Sequence, residues 1–197
     1  MAFHLVRGKR DEDLDWLYSQ DYKGEENQVT EALFKWFFFS QFRLEKLFLS
    51  KVFKVSSKKA KWKEFDLQRR GRTGTPDAVV TLGDGSQLLV EVKIKEKSVS
   101  SSQVKRHLRD AHLSKRINGK IQRPRLILIS PEMEEPDKLK VLPTEYREAI
   151  LWVSWLRVIK FLSREAKSGL NSADRLLRDG LLVYLKEHPK ISKTLPY

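Results

Sequence analysis

The 197-residue chain contains no cysteine. Disulfides, thiol nucleophiles and thiolate zinc sites are therefore excluded. Histidine is scarce, with four residues, His4, His107, His112 and His188, and none stands at an i,i+4 metal-ligand spacing. His107 and His112 are expected on a helix surface. No apolar run approaches membrane-spanning length, and Met1 to Arg10 has no apolar core of a secretory leader. An intracellular, cytoplasmic protein without membrane partners is expected. No internal repeat, low-complexity tract, ATP-binding loop, zinc finger or helix-turn-helix signature is visible, which argues against a processive motor and against a recognised base reader.

What is abundant is positive charge. Thirty-nine Lys and Arg against 26 Asp and Glu give a formal net charge of +13, and 40% hydrophobic residues mark a globular chain. The length suits one domain with a substantial core. The charge is clustered: residues 43–73 and 93–125 each hold eleven Lys or Arg, against three and two acids. Clusters of this kind favour a polyanionic partner, although a solvated surface alone would look similar.

Between the two basic stretches lies the chemistry. Val79-Val80-Thr81-Leu82 runs into Gly83-Asp84-Gly85, and Gln87 to Ile94 follows. Glycines around an Asp signal a hairpin. A loop over 83–85 centred on Asp84 places Asp77 opposite Glu91, and facing residues project to one side of a sheet. Period 2 puts Lys93 on that side, while Val90, Val92 and Ile94 point into a core. A one-residue slip of the loop would undo this pairing. Two facing carboxylates need a proton or a cation between them. Hard oxygen ligands suit Mg2+ or Mn2+, and Lys93 could orient or deprotonate a water or stabilise developing charge. An ordinary hairpin with a solvated Glu91–Lys93 ion pair is the plainer reading of these residues alone.

Glu25 to Leu49 reads as one helix with apolar residues on more than one face, so it is expected to be buried. Glu26, Thr30 and Leu33 share one face at i, i+4 and i+7, so Glu26 can be presented to the hairpin; Glu25 competes for that role, and charge at a helix start complements the dipole. Asp13 to Tyr18 is expected as a helical turn and Val52 to Val55 as a short strand. Ser56 to Lys63 is expected as a basic loop with Trp62 stacking on a base or packing, and Glu64 to Arg69 as a strand. Ser100-Ser101-Ser102 caps a helix from about Gln103 to Lys115. Ile117 to Arg125 reads as a basic loop, Arg125 to Ser130 and Ile150 to Ser154 as strands, and a helix runs on to about Ala166. Asn171-Ser172 caps a last amphipathic helix to Glu187, with its leucines in the core or against a partner, and a basic tail follows.

These elements, in this order, resemble the PD-(D/E)xK nuclease superfamily over most of residues 24–162. The resemblance rests on Glu26-Asn27-x-x-Thr30, Pro76-Asp77, Glu91-Val92-Lys93, Gln103, the apolar strand 126–129 and Trp152-Val153-Ser154-Trp155, which is similar to bacterial and phage-type members. It implies an α/β, restriction-endonuclease-like core with a mixed central sheet flanked by helices, and Mg2+- or Mn2+-dependent phosphodiester hydrolysis. By that likeness Asp77 and Glu91 would bind metal directly, the Val92 carbonyl would add a ligand and Glu26 would reach the metal, often through water. Lys93 would serve the nucleophile, and Gln103 would orient the lysine or a substrate phosphate.

Lys58, Lys59, Lys61 and Lys63, with Arg70 and Arg72 of the loop before Asp77, and Lys95 and Arg106, are the expected phosphate contacts. DNA is the expected substrate, cut endonucleolytically. A non-catalytic nucleic-acid-binding domain of the same fold, or a nuclease for RNA or branched DNA, is the alternative. A homodimer would supply two sites for two strands, with the aromatic helix or the last helix as its surface.

Overall fold

A computed structural model describes residues 3–6, 25–39, 43–56, 58–67, 75–109, 115–117, 120–122, 124–164 and 170–193. In chain order the elements are β1 (Phe3–Val6), α1 (Glu25–Phe39), α2 (Arg43–Lys51), β2 (Trp62–Leu67), β3 (Ala78–Leu82), β4 (Gln87–Val92) and α3 (Ser101–Arg109). There follow β5 (Lys115–Ile117), β6 (Lys120–Gln122), β7 (Arg125–Ser130), α4 (Asp137–Lys140), α5 (Thr144–Arg147), β8 (Ile150–Ser154), α6 (Trp155–Arg164), α7 (Ser172–Glu187) and α8 (Pro189–Ser192).

Six strands form one mixed sheet in the order β1-β2-β3-β4-β7-β8. The first four pair antiparallel, and β4, β7 and β8 run parallel. Parallel strands need crossovers that cover a face, so such strands read as continuous apolar runs. Leu126-Ile127-Leu128-Ile129 is such a run, and every residue of it is buried. One face packs on α1, α2, α6 and α7 through Val29, Phe34, Phe48, Phe161 and Leu185 against Val90, Val92 and Ile127. The other packs on α3 and α4 through Val104, Leu108 and Leu139 against Val79, Leu89 and Leu128. The fold is thus α/β, a mixed sheet flanked by helices.

Several expectations are corrected. The helix expected from Glu25 to Leu49 is two helices, α1 and α2. Trp36 and Phe48 stack edge to face with ring centroids 6.1 Å apart, whereas twelve residues of continuous helix would hold them about 18 Å apart along its axis. Val52 to Val55 is not a strand. It closes the end of α2, with Val52 and Phe53 N–H groups donating to the Phe48 carbonyl at 2.8 and 3.2 Å, and Lys54 has a φ of 53°, outside the extended region. α3 ends at Arg109, and Lys115 belongs to a strand. The expected loop after Ile117 contains half of the β5–β6 hairpin, which pairs Ile117 with Lys120; the sequence carries Asn-Gly at that point, a hairpin signal. β1, α4, α5 and α8 were not expected. On α7, Leu181 and Leu185 are buried, but Leu176 and Val183 are exposed, so only part of its apolar set serves the core. The turn expected at Asp13 to Tyr18 lies outside the described residues.

Candidate active site

The hairpin forms on the expected register. Ala78 pairs with Val90 and Thr81 with Gln87. Its turn is held by the Leu82 N–H donating to the Ser86 carbonyl at 2.8 Å. The Asp84 carboxylate accepts from the Ser86 N–H at 3.0 Å and the Ser86 hydroxyl at 2.5 Å. Gly85 takes a φ of 83°, which a side chain would resist. One step beyond Ala78, the Asp77 carboxylate accepts a hydrogen bond from the Val92 N–H at 2.7 Å. The hairpin therefore brings Asp77 to the end of β4, beside Glu91.

Glu91 is the hub. Its Oε1 accepts from the Lys93 ammonium at 2.7 Å and from the Gln103 amide at 2.5 Å. Its Oε2 is buried without a hydrogen-bond partner, and His107 Nε2 stands 3.2 Å away without the alignment of a hydrogen bond. The Lys93 ammonium also donates to the Glu26 carboxylate at 3.3 Å. Glu26 comes from the first turn of α1, whose Thr30 hydroxyl bonds back to the Glu26 carbonyl at 2.9 Å. Lys93 itself is pinned through its main chain: its N–H donates to the Ile129 carbonyl at 2.8 Å, and its carbonyl accepts from the Trp155 indole at 2.9 Å.

Charge follows this geometry. Burial, and then the Glu91 carboxylate, push the Asp77 carboxyl up to about 8, against the lowering effect of the Val92 N–H. Burial works to raise Glu91 as well, but His107 and the Lys93 ammonium outweigh it and hold its carboxyl below the ordinary value. Burial disfavours the Lys93 ammonium, yet Glu91, Glu26 and Asp77 together hold its pKa above the ordinary lysine value.

No protein-family model, curated protein or solved structure matches the chain.

Among the described residues no group of three or more His, Cys, Asp or Glu side chains is gathered closely enough to hold a metal ion. The Lys93 ammonium stands between Glu26 and Glu91. The Asp77–Glu91 pair nevertheless fits a hard divalent cation. Its donors are all oxygens, Glu91 Oε2 is buried without a hydrogen bond, and Asp77 retains a proton to about 8 where a cation could replace it. At Val92 the N–H is bonded to the Asp77 carboxylate; the carbonyl, expected as a ligand, is a separate group.

The expected phosphate contacts are scattered. Lys58, Lys59, Lys61 and Lys63 are exposed, but they lie at the turn end of the hairpin. Lys59 pairs with Asp84 at 2.8 Å, and the Gly83 N–H donates to the Lys61 carbonyl at 2.6 Å. Seven residue steps of strand and turn run from Asp77 to Asp84, up to roughly 23 Å at the rise of a strand. This cluster therefore does not flank the site. Trp62 is buried at 3% exposure and packs in the core. Lys95 is exposed and lines a cavity of about 380 Å³ with Glu25, Glu26, Asn27, Ile94 and Lys190. Arg106 is exposed on α3. Arg70, Arg72 and His112 lie outside the described residues.

Three residues carry roles at the site that the sequence reading did not give them. His107, expected on a helix surface, is 2% exposed and faces Glu91; its i,i+4 spacing from Gln103 was the signal. Trp155 belongs to the Trp152-to-Trp155 segment but holds the Lys93 carbonyl. In the same segment Trp152 donates to the Ser130 hydroxyl at 2.8 Å and the Ser154 hydroxyl accepts from the Arg157 N–H at 3.2 Å. Lys190 of α8 pairs with Glu25 at the start of α1.

Proposed function

We propose that the chain is a metal-dependent nuclease that hydrolyses phosphodiester bonds in DNA as an endonuclease, on a restriction-endonuclease-like core of the PD-(D/E)xK kind. The observation that carries this reading is the convergence of Asp77, Glu91 and Lys93 at the end of β4, with Glu26 and Gln103 arriving from α1 and α3. Asp77 and Glu91 would hold Mg2+ or Mn2+, with the Val92 carbonyl as a further ligand and Glu26 reaching the cation through water. When bound, the cation polarises the phosphodiester and lowers the pKa of a coordinated water.

The protein's own part is placement and charge. In the metal-free site Lys93 is held as an ammonium, a cation suited to developing phosphoryl charge or to orienting water. Glu26 and the Glu91 oxygen fix the direction of that ammonium. Gln103 steadies Glu91, not Lys93. Lys95, two residues beyond Lys93 and exposed at the adjoining cavity, supplies a phosphate contact close to the chemistry.

One observation favours a second reading, a non-catalytic nucleic-acid-binding domain. Lys93 already pairs with both Glu26 and Glu91, so each of these carboxylates has a cationic partner without a metal. Incubation with duplex DNA, single-stranded DNA, branched DNA and RNA, in Mg2+, Mn2+ or EDTA, separates the two. Metal-dependent cleavage of one of these supports the enzyme and names its polymer. Binding without cleavage of any supports the second reading.

A further inference from the structure

α3 crosses the site with Gln103 and His107 one turn apart, and both reach the same carboxylate. Gln103 Nε2 donates to Glu91 Oε1 at 2.5 Å, and His107 Nε2 stands 3.2 Å from Glu91 Oε2. His107 is 2% exposed, and neither of its ring nitrogens has a hydrogen-bond partner. Its chain neighbour Leu108, and Val104 one turn back, belong to an apolar cluster. A buried imidazole without a hydrogen bond is costly, and the contact with Glu91 is what can offset that cost.

We propose that His107 is a positioning residue: with Gln103 it grips Glu91 from both oxygens, so that one turn of α3 sets the plane of the carboxylate that faces Asp77. The role requires a proton on Nε2, which turns toward Oε2 as the site tightens around its ligand, as catalytic hydrogen bonds commonly do. A carboxylate offers about four acceptor positions. Lys93 and Gln103 take those of Oε1, and His107 takes one of Oε2. The remaining position is on Oε2, so Glu91 would offer a cation that oxygen alone. The functional consequence rests on the metal-dependent reading above; the donor tautomer of His107 does not.

The test has two arms. Nitrogen-15 spectra of the metal-free protein in mildly alkaline buffer, where an ordinary imidazole is neutral, are expected to show His107 protonated on Nε2. A ring protonated only on Nδ1 would overturn the proposal, because a lone pair would then face the carboxylate. In the second arm Mn2+ binding is measured by calorimetry without substrate. His107→Leu keeps the apolar volume and loses the donor, and it is expected to weaken Mn2+ binding about tenfold or more. His107→Gln restores an amide donor and is expected to regain most of it. Unchanged Mn2+ affinity in His107→Leu, with binding lost in Glu91→Gln, would overturn the proposal. Should His107→Leu fail to fold, His107→Gln and Gln103→Leu carry the comparison, with Gln103→Leu weakened similarly. A wild type that binds no Mn2+ at all would overturn the metal-dependent reading, and the spectra would still decide whether His107 presents a donor to Glu91.

Discussion

The main-chain N–H of Val92 donates to the Asp77 carboxylate at 2.7 Å across the β3–β4 hairpin. This bond fixes Asp77 beside Glu91, where burial and the neighbouring carboxylate, against the bond itself, keep it from readily ionising. Asp77→Ala removes one of the two carboxylates that would hold a cation but leaves the exposed lysines in place. Cleavage is expected to fall roughly 10⁴-fold or more, with nucleic-acid binding largely retained. Gel-based cleavage and binding titrations check this, and retained activity would remove Asp77 from the site.

The same carboxyl makes a pH prediction for the metal-free protein. In the unfolded chain Asp77 releases its proton near 3.8, and in the fold it keeps it to about 8. Between those values the folded state binds the extra proton, so stability falls as pH rises through the window and levels off above it. Glu91, held below its ordinary 4.5, works in the other sense: its stabilisation is present above that value and fades as pH falls below it. Thermal melts in EDTA from pH 5 to about 8 are therefore expected to show a falling midpoint for wild type and a flatter one for Asp77→Asn. Equal slopes would mean that Asp77 ionises normally.

Reversing the charge of Lys58, Lys59 and Lys61 is expected to weaken nucleic-acid binding and flatten its dependence on salt. Because these residues stand at the turn end of the hairpin, the rate at saturating substrate is expected to change less than twofold. An unchanged salt slope would mean that this cluster does not touch phosphate. A collapsed rate would mean that it reaches the chemistry after all.

Trp155→Phe deletes the indole donor to the Lys93 carbonyl, a 2.9 Å bond between buried groups. The orphaned carbonyl is expected to cost about 1–3 kcal/mol of stability. Cleavage is expected to fall further than substrate binding does, because the main chain that carries the ammonium loses its anchor. Denaturant melts and a KM-against-kcat comparison check the two effects, and wild-type values in both would reduce Trp155 to packing.

The centre of the site was legible because a hairpin is local. Gly83-Asp84-Gly85 and the alternation on either side were enough to pair Asp77 with Glu91 and to turn Lys93 toward them. The shared face of Glu26, Thr30 and Leu33 likewise pointed Glu26 at the hairpin, and α1 delivers it to Lys93. What required distant pairing was not legible. The β2–β3 register sets Trp62 opposite Leu82, which carries the lysine cluster away from Asp77 although the two are close in sequence. His107 was misplaced because a polar ring among basic residues reads as a helix surface; only the packing of α3 on β4 shows that its face is inward. The break between α1 and α2 was hidden by aromatics on every side of the stretch, since periodicity there does not mark an end. The β5–β6 hairpin, by contrast, was signalled by the Asn-Gly pair in the sequence and read as a loop because of its charge.

The most direct test compares wild type and Lys93→Ala on supercoiled plasmid, linear duplex and single-stranded DNA in Mg2+, Mn2+ and EDTA. Lys93 joins Glu91 to Glu26, so a nuclease site at the end of β4 depends on it. Wild type is expected to cleave in Mg2+ or Mn2+ and not in EDTA, and a folded Lys93→Ala that still binds DNA is expected to have lost cleavage. Cleavage that persists in Lys93→Ala, or in EDTA, would rule out a metal-dependent site built on Lys93.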